Sequence, residues 1–136
     1  MNTFHIALKR LPEEVQEMIM DKKLNDVLMY FMEHEVQDYY LMKYLSNIAH
    51  LKDEVEYHEM VASIYHFHFN YEVDAYDAAY YHYWRSLELT SFNDIELLEE
   101  FLQILDEPDF DIIEEENIEY VKNQIRLLEK ESIIRI

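Results

Sequence analysis

The complete absence of glycine constrains this 136-residue chain more than any other sequence feature. Glycine is the residue that most readily adopts the left-handed backbone angles of tight hairpins and many loops. We therefore expect few left-handed positions and few hairpin turns, and Pro12 and Pro108 are the only prolines. Half of the residues are hydrophobic, so the chain can bury a core. These features predict an all-α fold in a single domain over residues 1–136.

The residue types that are missing also exclude several kinds of site. Phosphate-binding loops and dinucleotide fingerprints need glycine where the backbone approaches a phosphate, so we expect neither. Without cysteine the chain has no thiolate zinc site, no disulfide and no cysteine nucleophile. Residues 1–5 lack the basic stretch of a signal peptide, and no apolar run approaches the length of a membrane span. We expect a bacterial cytoplasmic protein that does not contact membranes.

Apolar residues recur at spacings of three and four, which is the period of an amphipathic helix. Pro12 is typical of a helix start, and the residue before Pro108 resists helical angles. We expect Asp53 to be the N-cap of one helix and Asn93 or Asp94 to cap another. Short connections predict antiparallel helical hairpins in an array of about five to seven helices. The predicted helices cover residues 12–20, 22–50 (as one helix or two), 53–70, 74–90, 93–105 and 114–131.

One segment resembles the second helix of a tetratricopeptide repeat, where a small, an aromatic and another small residue are spaced by four and three. Ala79, Tyr83 and Ser86 occupy those positions within residues 76–93. Ser91 stands where the repeat has proline, so the repeat is degenerate. The resemblance implies an α-solenoid, or TPR-like, array of helices.

Acidic residues are concentrated in the middle of the chain. The formal net charge is −19, and residues 53–121 hold 20 acids and a single base, Arg85. Like charges at this density repel one another in the folded state, so folding alone does not require them. They form either a solvated face or a surface that attracts a basic partner, and both interpretations stay open. Direct binding to nucleic acid is not expected, because the phosphates would be repelled.

Aromatic residues are concentrated in the same part of the chain. Residues 57–84 contain ten of them, which is more than a single packing face absorbs. Either they form a tyrosine-rich core, or some reach the surface and anchor a partner. On the helix predicted over residues 74–90, the side that carries Tyr83 is expected to pack inward. Tyr81 and Trp84 lie on another side and are the aromatic candidates for contact with a partner.

Histidines suggest a metal site, but their spacing does not favour one. His58 lies beside Glu59, yet helical metal pairs need spacings of three or four, and neither HExxH nor ExxH occurs. His66 and His68 are two residues apart on a predicted helix and should face nearly opposite directions. None of the five serines lies in a nucleophile-elbow sequence. We therefore expect no enzyme activity, metal or cofactor, with a helical metal-dependent enzyme using His58 and Glu59 as one alternative.

Taken as a whole, the chain resembles immunity proteins of bacterial polymorphic-toxin and contact-dependent inhibition systems. The resemblance is carried by a short acidic helical chain with a tyrosine-rich hairpin, the segment NDIELLEEFLQILDEPDF and a final helix. It implies tight binding to a cognate toxin domain, often a basic nuclease. We expect the protein to neutralise the toxin by occluding its active or substrate-binding surface, with aromatic residues as anchors and acids for steering.

A different function also fits an acidic chain, namely a phage-type inhibitor that mimics DNA and binds a nucleic-acid-binding protein. The identity of the toxin and the oligomeric state stay open at this point. The expected partner-binding residues are Tyr81, Trp84, Glu96, Glu99, Glu100, Asp106, Glu107, Asp109, Asp111, Glu114 and Glu115.

Overall fold

The structure, a computed structural model, describes residues 2–107, 110 and 114–134. Over these residues it contains eight α-helices and no strands, which confirms the predicted all-α class. None of the helices in this part of the chain is long and apolar enough to cross a lipid bilayer. The helices are α1 (Thr3–Lys9), α2 (Glu13–Met20), α3 (Asn25–Glu33), α4 (Leu41–Lys52), α5 (Val55–Phe67), α6 (Ala75–Leu89), α7 (Ile95–Leu105) and α8 (Glu115–Ile134).

The number of helices in the described residues is one above the expected range. Residues 22–50 form two helices, α3 and α4, and α1 is a further helix that the periodicity did not predict. Asn2 starts α1 by accepting a hydrogen bond from the amide of His5 at 3.0 Å. Asp94 caps α7 as predicted, because its side chain accepts from the amide of Leu97 at 3.3 Å.

The prediction that Asp53 is an N-cap was wrong. Asp53 is the C-cap of α4 and has left-handed backbone angles, with φ 49° and ψ 51°. An N-cap residue needs an extended backbone, and Glu54, with φ −124° and ψ 151°, provides it for α5. The Asp53 carboxylate is instead bound by side chains from α5 and α6.

Left-handed positions are few in the described residues, as expected, and each follows the end of a helix. Connections between helices commonly need one left-handed residue just after the helix end, whether or not glycine is present. After α2, for example, Lys22 has φ 57° and the amide of Lys23 donates to the carbonyl of Met18 at 2.8 Å. Ordinary residues therefore take the strained angles. Within the described residues, those with positive φ are Lys22, Glu35, Asp53, Ser91 and Phe92.

Helix α5 lies at the centre of the packing. It contacts α3, α4 and α6, while α1 contacts both α2 and α4, and α7 contacts α6 and α8. Eight of the thirteen residues of α5 are buried, which explains why its apolar pattern extends around most of the helix. The α5–α6 pair is the element on which the candidate site is built. The largest fully buried apolar side chains include Phe31, Ile48, Ile64, Phe69, Leu87 and Leu98.

The aromatic run is divided between the core and the surface. Tyr57 and Phe69 are buried, whereas Phe67, Tyr71 and Tyr81 are each more than half exposed. The run is therefore neither wholly core nor wholly surface, because successive aromatics on a helix point in different directions, and the anchoring of a partner by the exposed members stays a prediction. The exposed members are available to a partner.

Replacing Glu35 with glycine should stabilise the protein. Glu35 is exposed and has φ 48°, an angle that disfavours residues with a Cβ atom. After allowance for the greater freedom of glycine in the unfolded chain, we expect the free energy of unfolding to rise by up to about 1 kcal/mol. Glu99→Gly, within the exposed face of α7, should lower it by about 1 kcal/mol. Urea denaturation followed by circular dichroism measures both, and a loss in both variants would contradict the left-handed assignment.

Candidate functional site

A cluster of hydrogen-bonded polar side chains joins the start of α5 to α6. The Nε2 atom of His58 is 2.8 Å from Oδ1 of Asp53, and its Nδ1 atom is 2.9 Å from Nδ1 of His82. Arg85 donates to both oxygens of Asp53, from Nε at 2.9 Å and from Nη2 at 2.5 Å. Burial lowers the pKa of both histidines, so both rings are neutral. With Nε2 of neutral His58 donating to the carboxylate, its Nδ1 atom accepts from His82. We call Asp53, His58, His82 and Arg85 the histidine cluster.

The charge states in the histidine cluster follow from burial and from Arg85. Burial, together with the neighbouring His58 and His50, lowers the pKa of His82 to about 3. Burial also lowers the pKa of His58, against the opposing effect of Asp53. Hydrogen bonds from Arg85 and then from His58 hold the pKa of Asp53 far below its ordinary value. Near neutral pH the cluster therefore links two neutral imidazoles to one carboxylate and one guanidinium.

A second cluster connects α5 to α6 and to the end of α7. The Nδ1 atom of His66 is 3.2 Å from the Tyr83 hydroxyl, and its Nε2 atom is 2.8 Å from Oε2 of Glu107. With Nε2 donating to Glu107, Nδ1 accepts the hydrogen of Tyr83. Burial raises the pKa of Tyr83, so the hydroxyl stays protonated. The ring of Phe110 packs against this cluster, nearly perpendicular to the ring of His66 and with its centroid 5.6 Å away.

The alternative metal site at His58 and Glu59 does not assemble in the described part of the chain. There, no group of three or more histidines, aspartates or glutamates is arranged to hold a metal ion. His58 is bound within the histidine cluster, whereas Glu59 lines a cavity beside α7. His66 and His68 have separate partners as their spacing predicted, because Nε2 of His68 binds the carbonyl of Val36 at 2.6 Å.

A small cavity lies between α5, α6 and α7. Its volume is about 200 Å³, and its wall combines apolar and aromatic side chains with two carboxylates and three hydroxyls. We call it the acidic cavity. Its lining residues are Glu59, Ser63, Phe67, Tyr83, Ser86, Leu87, Leu97, Glu100, Phe101 and Ile104.

Carboxylates from two helices converge on the acidic cavity. Burial raises the pKa of Glu59, and the negative charges of Glu100, Asp94 and Glu56 raise it further. In the described residues no basic side chain or hydrogen-bond donor contacts the Glu59 carboxylate. The site therefore holds an excess of negative charge that the chain itself does not neutralise there.

The contribution of α5 to this acidic surface was missed at the sequence level. The predicted partner-binding acids came from residues 96–115 and did not include Glu56 and Glu59. These two glutamates are three residues apart and so lie on one face of α5, which is a signal that could have identified them. Phe67, which is 51% exposed and lines the acidic cavity, was also missed as a contact residue, although it belongs to the aromatic run.

The two aromatic candidates lie in different surroundings. Tyr81 is exposed, and its ring centroid is 5.5 Å from that of His50 on α4. Trp84 is half-buried and packs against Phe92 and Phe101, with centroids 5.3 and 5.6 Å away. Within the described residues α4 and α7 are not in contact. The structure therefore does not bring Tyr81 together with the acids of α7.

The acidic candidates that the structure describes are exposed. Glu96, Glu99, Glu100 and Asp106 belong to α7 and its C-cap, whereas Glu107 is bound by His66. Near the start of α8, Asn117 donates to Glu114 at 3.1 Å and to the Tyr80 hydroxyl at 2.8 Å, and Glu115 is the first residue of the helix. The remaining two candidates, Asp109 and Asp111, lie outside the described residues.

The histidine cluster should make stability depend on pH. The folded-state pKa values of His58 and His82 lie below the ordinary value of 6.5, so the unfolded chain binds more protons. The stability that folding gains from these neutral histidines is present above pH 6.5 and is lost as the pH falls toward 3. From pH 7 to pH 5, His82 alone should remove about 2 kcal/mol from the free energy of unfolding.

In the variant His82→Asn the new amide can still donate a hydrogen bond to Nδ1 of His58, but it does not titrate. The free energy of unfolding of this variant should therefore fall less between pH 7 and pH 5. Urea denaturation at a series of pH values measures this difference. His5→Asn, at an exposed histidine, is the matched control and should follow the wild-type pH dependence. Identical pH profiles for wild type and His82→Asn would show that His82 is not buried in a neutral form.

Comparison with protein-family models, with curated proteins and with solved structures gave no match. The function is therefore inferred from the side chains themselves, above all from the acidic cavity and the exposed acids of α7 beside it.

Proposed function

We propose that this protein is an immunity-type inhibitor that binds and neutralises a basic toxin domain, of nuclease type, in the bacterial cytoplasm. The observation that carries the proposal is the convergence of carboxylates from α5 and α7 on an apolar cavity. Glu59 and Glu100 line that cavity, and Asp94 and Glu56 lie near enough to raise the pKa of Glu59. A basic partner would supply the positive charge that this site lacks.

An acidic face that only contacts solvent would not require carboxylates from two helices around an apolar cavity. Solvated carboxylates keep their ordinary affinity for protons, but Glu59 is half-buried beside other carboxylates, which is unfavourable for its charged form. Arg85, the single base within residues 53–121, is already bound by Asp53 and Glu88. The unfavourable charge is relieved when a cation from another molecule enters, so the arrangement favours a binding site over a passive surface.

Neutralisation would follow from covering the toxin's basic surface. The exposed Glu96, Glu99 and Asp106 extend the negative charge along α7 and would accelerate association with a positive surface. Phe67, exposed at the edge of the acidic cavity, provides apolar contact area. A nuclease binds phosphates with lysines and arginines, so acids that occupy those side chains exclude the nucleic acid. The inhibitor itself needs no catalytic residue for this function.

The test begins with affinity capture from lysate of the source cell at low and moderate salt. Capture alone does not support the proposed function. The purified partner must also be a basic protein whose activity the wild-type protein inhibits at equimolar concentration. Recovery of a restriction or CRISPR protein from a phage-bearing cell would favour the DNA-mimic alternative instead. If no captured protein is inhibited, the proposed function is wrong.

A triple charge reversal tests whether α7 carries the interaction. We expect Glu96→Lys, Glu99→Lys and Glu100→Lys together to weaken inhibition by more than about tenfold, mainly through slower association. The matched control is Glu17→Lys, Asp21→Lys and Glu33→Lys, which changes the net charge equally at exposed positions of α2, its C-cap and α3. The control should stay within about threefold of wild type, as expected if net charge alone acts weakly. Equal losses in the two variants would show that binding depends on total charge and not on this surface.

A further inference from the structure

We propose that the acidic cavity is a socket for one arginine side chain of the basic partner. This inference rests on the proposed function and specifies the contact at its centre. The cavity of about 200 Å³ is smaller than the roughly 300–1,000 Å³ of sites for drug-sized ligands, so it suits a single side chain.

The wall of the acidic cavity is made of residue types that can bind each part of an arginine side chain. Phe67, Tyr83 and Phe101 contribute aromatic rings, and Leu97 and Ile104 contribute aliphatic surface. The methylene groups of arginine pack on aliphatic surface, and its planar guanidinium stacks on aromatic faces. A lysine ammonium is more strongly hydrated and would lose more on entering such a wall.

The polar atoms of the acidic cavity can receive several guanidinium hydrogens at once. Glu59 and Glu100 provide carboxylates from α5 and α7, on opposite helices. The Tyr83 hydroxyl gives its hydrogen to His66, so its oxygen is left to accept. Ser63 donates its hydroxyl hydrogen to the carbonyl of Glu59 at 2.7 Å, so its oxygen is also left to accept. Guanidinium carries five donors in a rigid fork, and multiple acceptors favour it over an ammonium group.

The Tyr83 hydroxyl, one of these acceptors, is held in place before any partner binds. Tyr83 is fixed by His66, which is itself fixed by Glu107, and Glu59 belongs to the central helix α5. A preorganised site loses less side-chain freedom on binding. Charge complementarity is also favourable, because a guanidinium would offset the repulsion between Glu59 and Glu100.

Small-molecule titration tests the socket without the partner. The probe is N-acetyl-L-argininamide, added to the full-length protein while amide resonances are followed by NMR. We expect saturable shifts confined to the residues around Ser63, Leu97 and Ile104, with a Kd in the millimolar range. N-acetyl-L-citrullinamide, which has a similar shape but no charge, should bind at least about tenfold more weakly, as should N-acetyl-L-lysinamide.

Two neutralising variants complete the test. Glu59→Gln should weaken binding of the arginine probe by about tenfold or more, since it removes a charged acceptor. The control Glu17→Gln removes the same charge from an exposed position of α2, outside the cavity, and should leave the Kd within about twofold. Three results would each overturn the proposal of an arginine socket: no saturable shifts, equal binding of the three probes, or equal effects of the two variants. If the socket fails while wild-type protein still inhibits its partner, the proposed function survives without this contact.

Discussion

The burial of α5 among α3, α4 and α6 is the constraint on which the rest of the structure depends. A helix that is covered on several sides must pair each polar side chain that it buries, because an unpaired buried polar group is costly. His58 is paired with Asp53 and His82, and His66 with Tyr83 and Glu107. Among the described residues no buried side-chain nitrogen or oxygen lacks a hydrogen-bond partner. Both clusters therefore fix α6 against α5 and set the position of the cavity between them.

This internal pairing also determines the charge that is left at the surface. Asp53 takes both the guanidinium of Arg85 and the imidazole of His58, so the single base of residues 53–121 is used inside the fold. The carboxylates that face α7 consequently have no cation from this region, and Glu59 is placed beside Glu100 at an apolar cavity. Stability and proposed function are thus connected, since the arrangement that completes the core leaves an acidic site for a partner.

Local sequence signals predicted the helices well, but not the contacts between them. Apolar residues at spacings of three and four indicated most helices, and Asp94 was identified as a cap because capping is a local interaction. Asp53 was misassigned because its partner Arg85 is distant in sequence, and Lys22 and Glu35 take left-handed angles that their residue types do not indicate. The site was predicted in part: Glu100 was included, but Glu59 meets it only through tertiary packing, and Tyr81 lies toward α4 instead.

The proposed interaction is a positive side chain of the basic partner inside the acidic cavity. The most direct measurement is a charge exchange across the interface with the partner that the wild-type protein inhibits. Glu59→Arg should abolish inhibition, and replacing the partner's inserted arginine with glutamate should restore it, because the pair of opposite charges is formed again in reverse. Failure of every arginine-to-glutamate replacement on the partner's contact surface to restore inhibition by Glu59→Arg would contradict the proposed interaction.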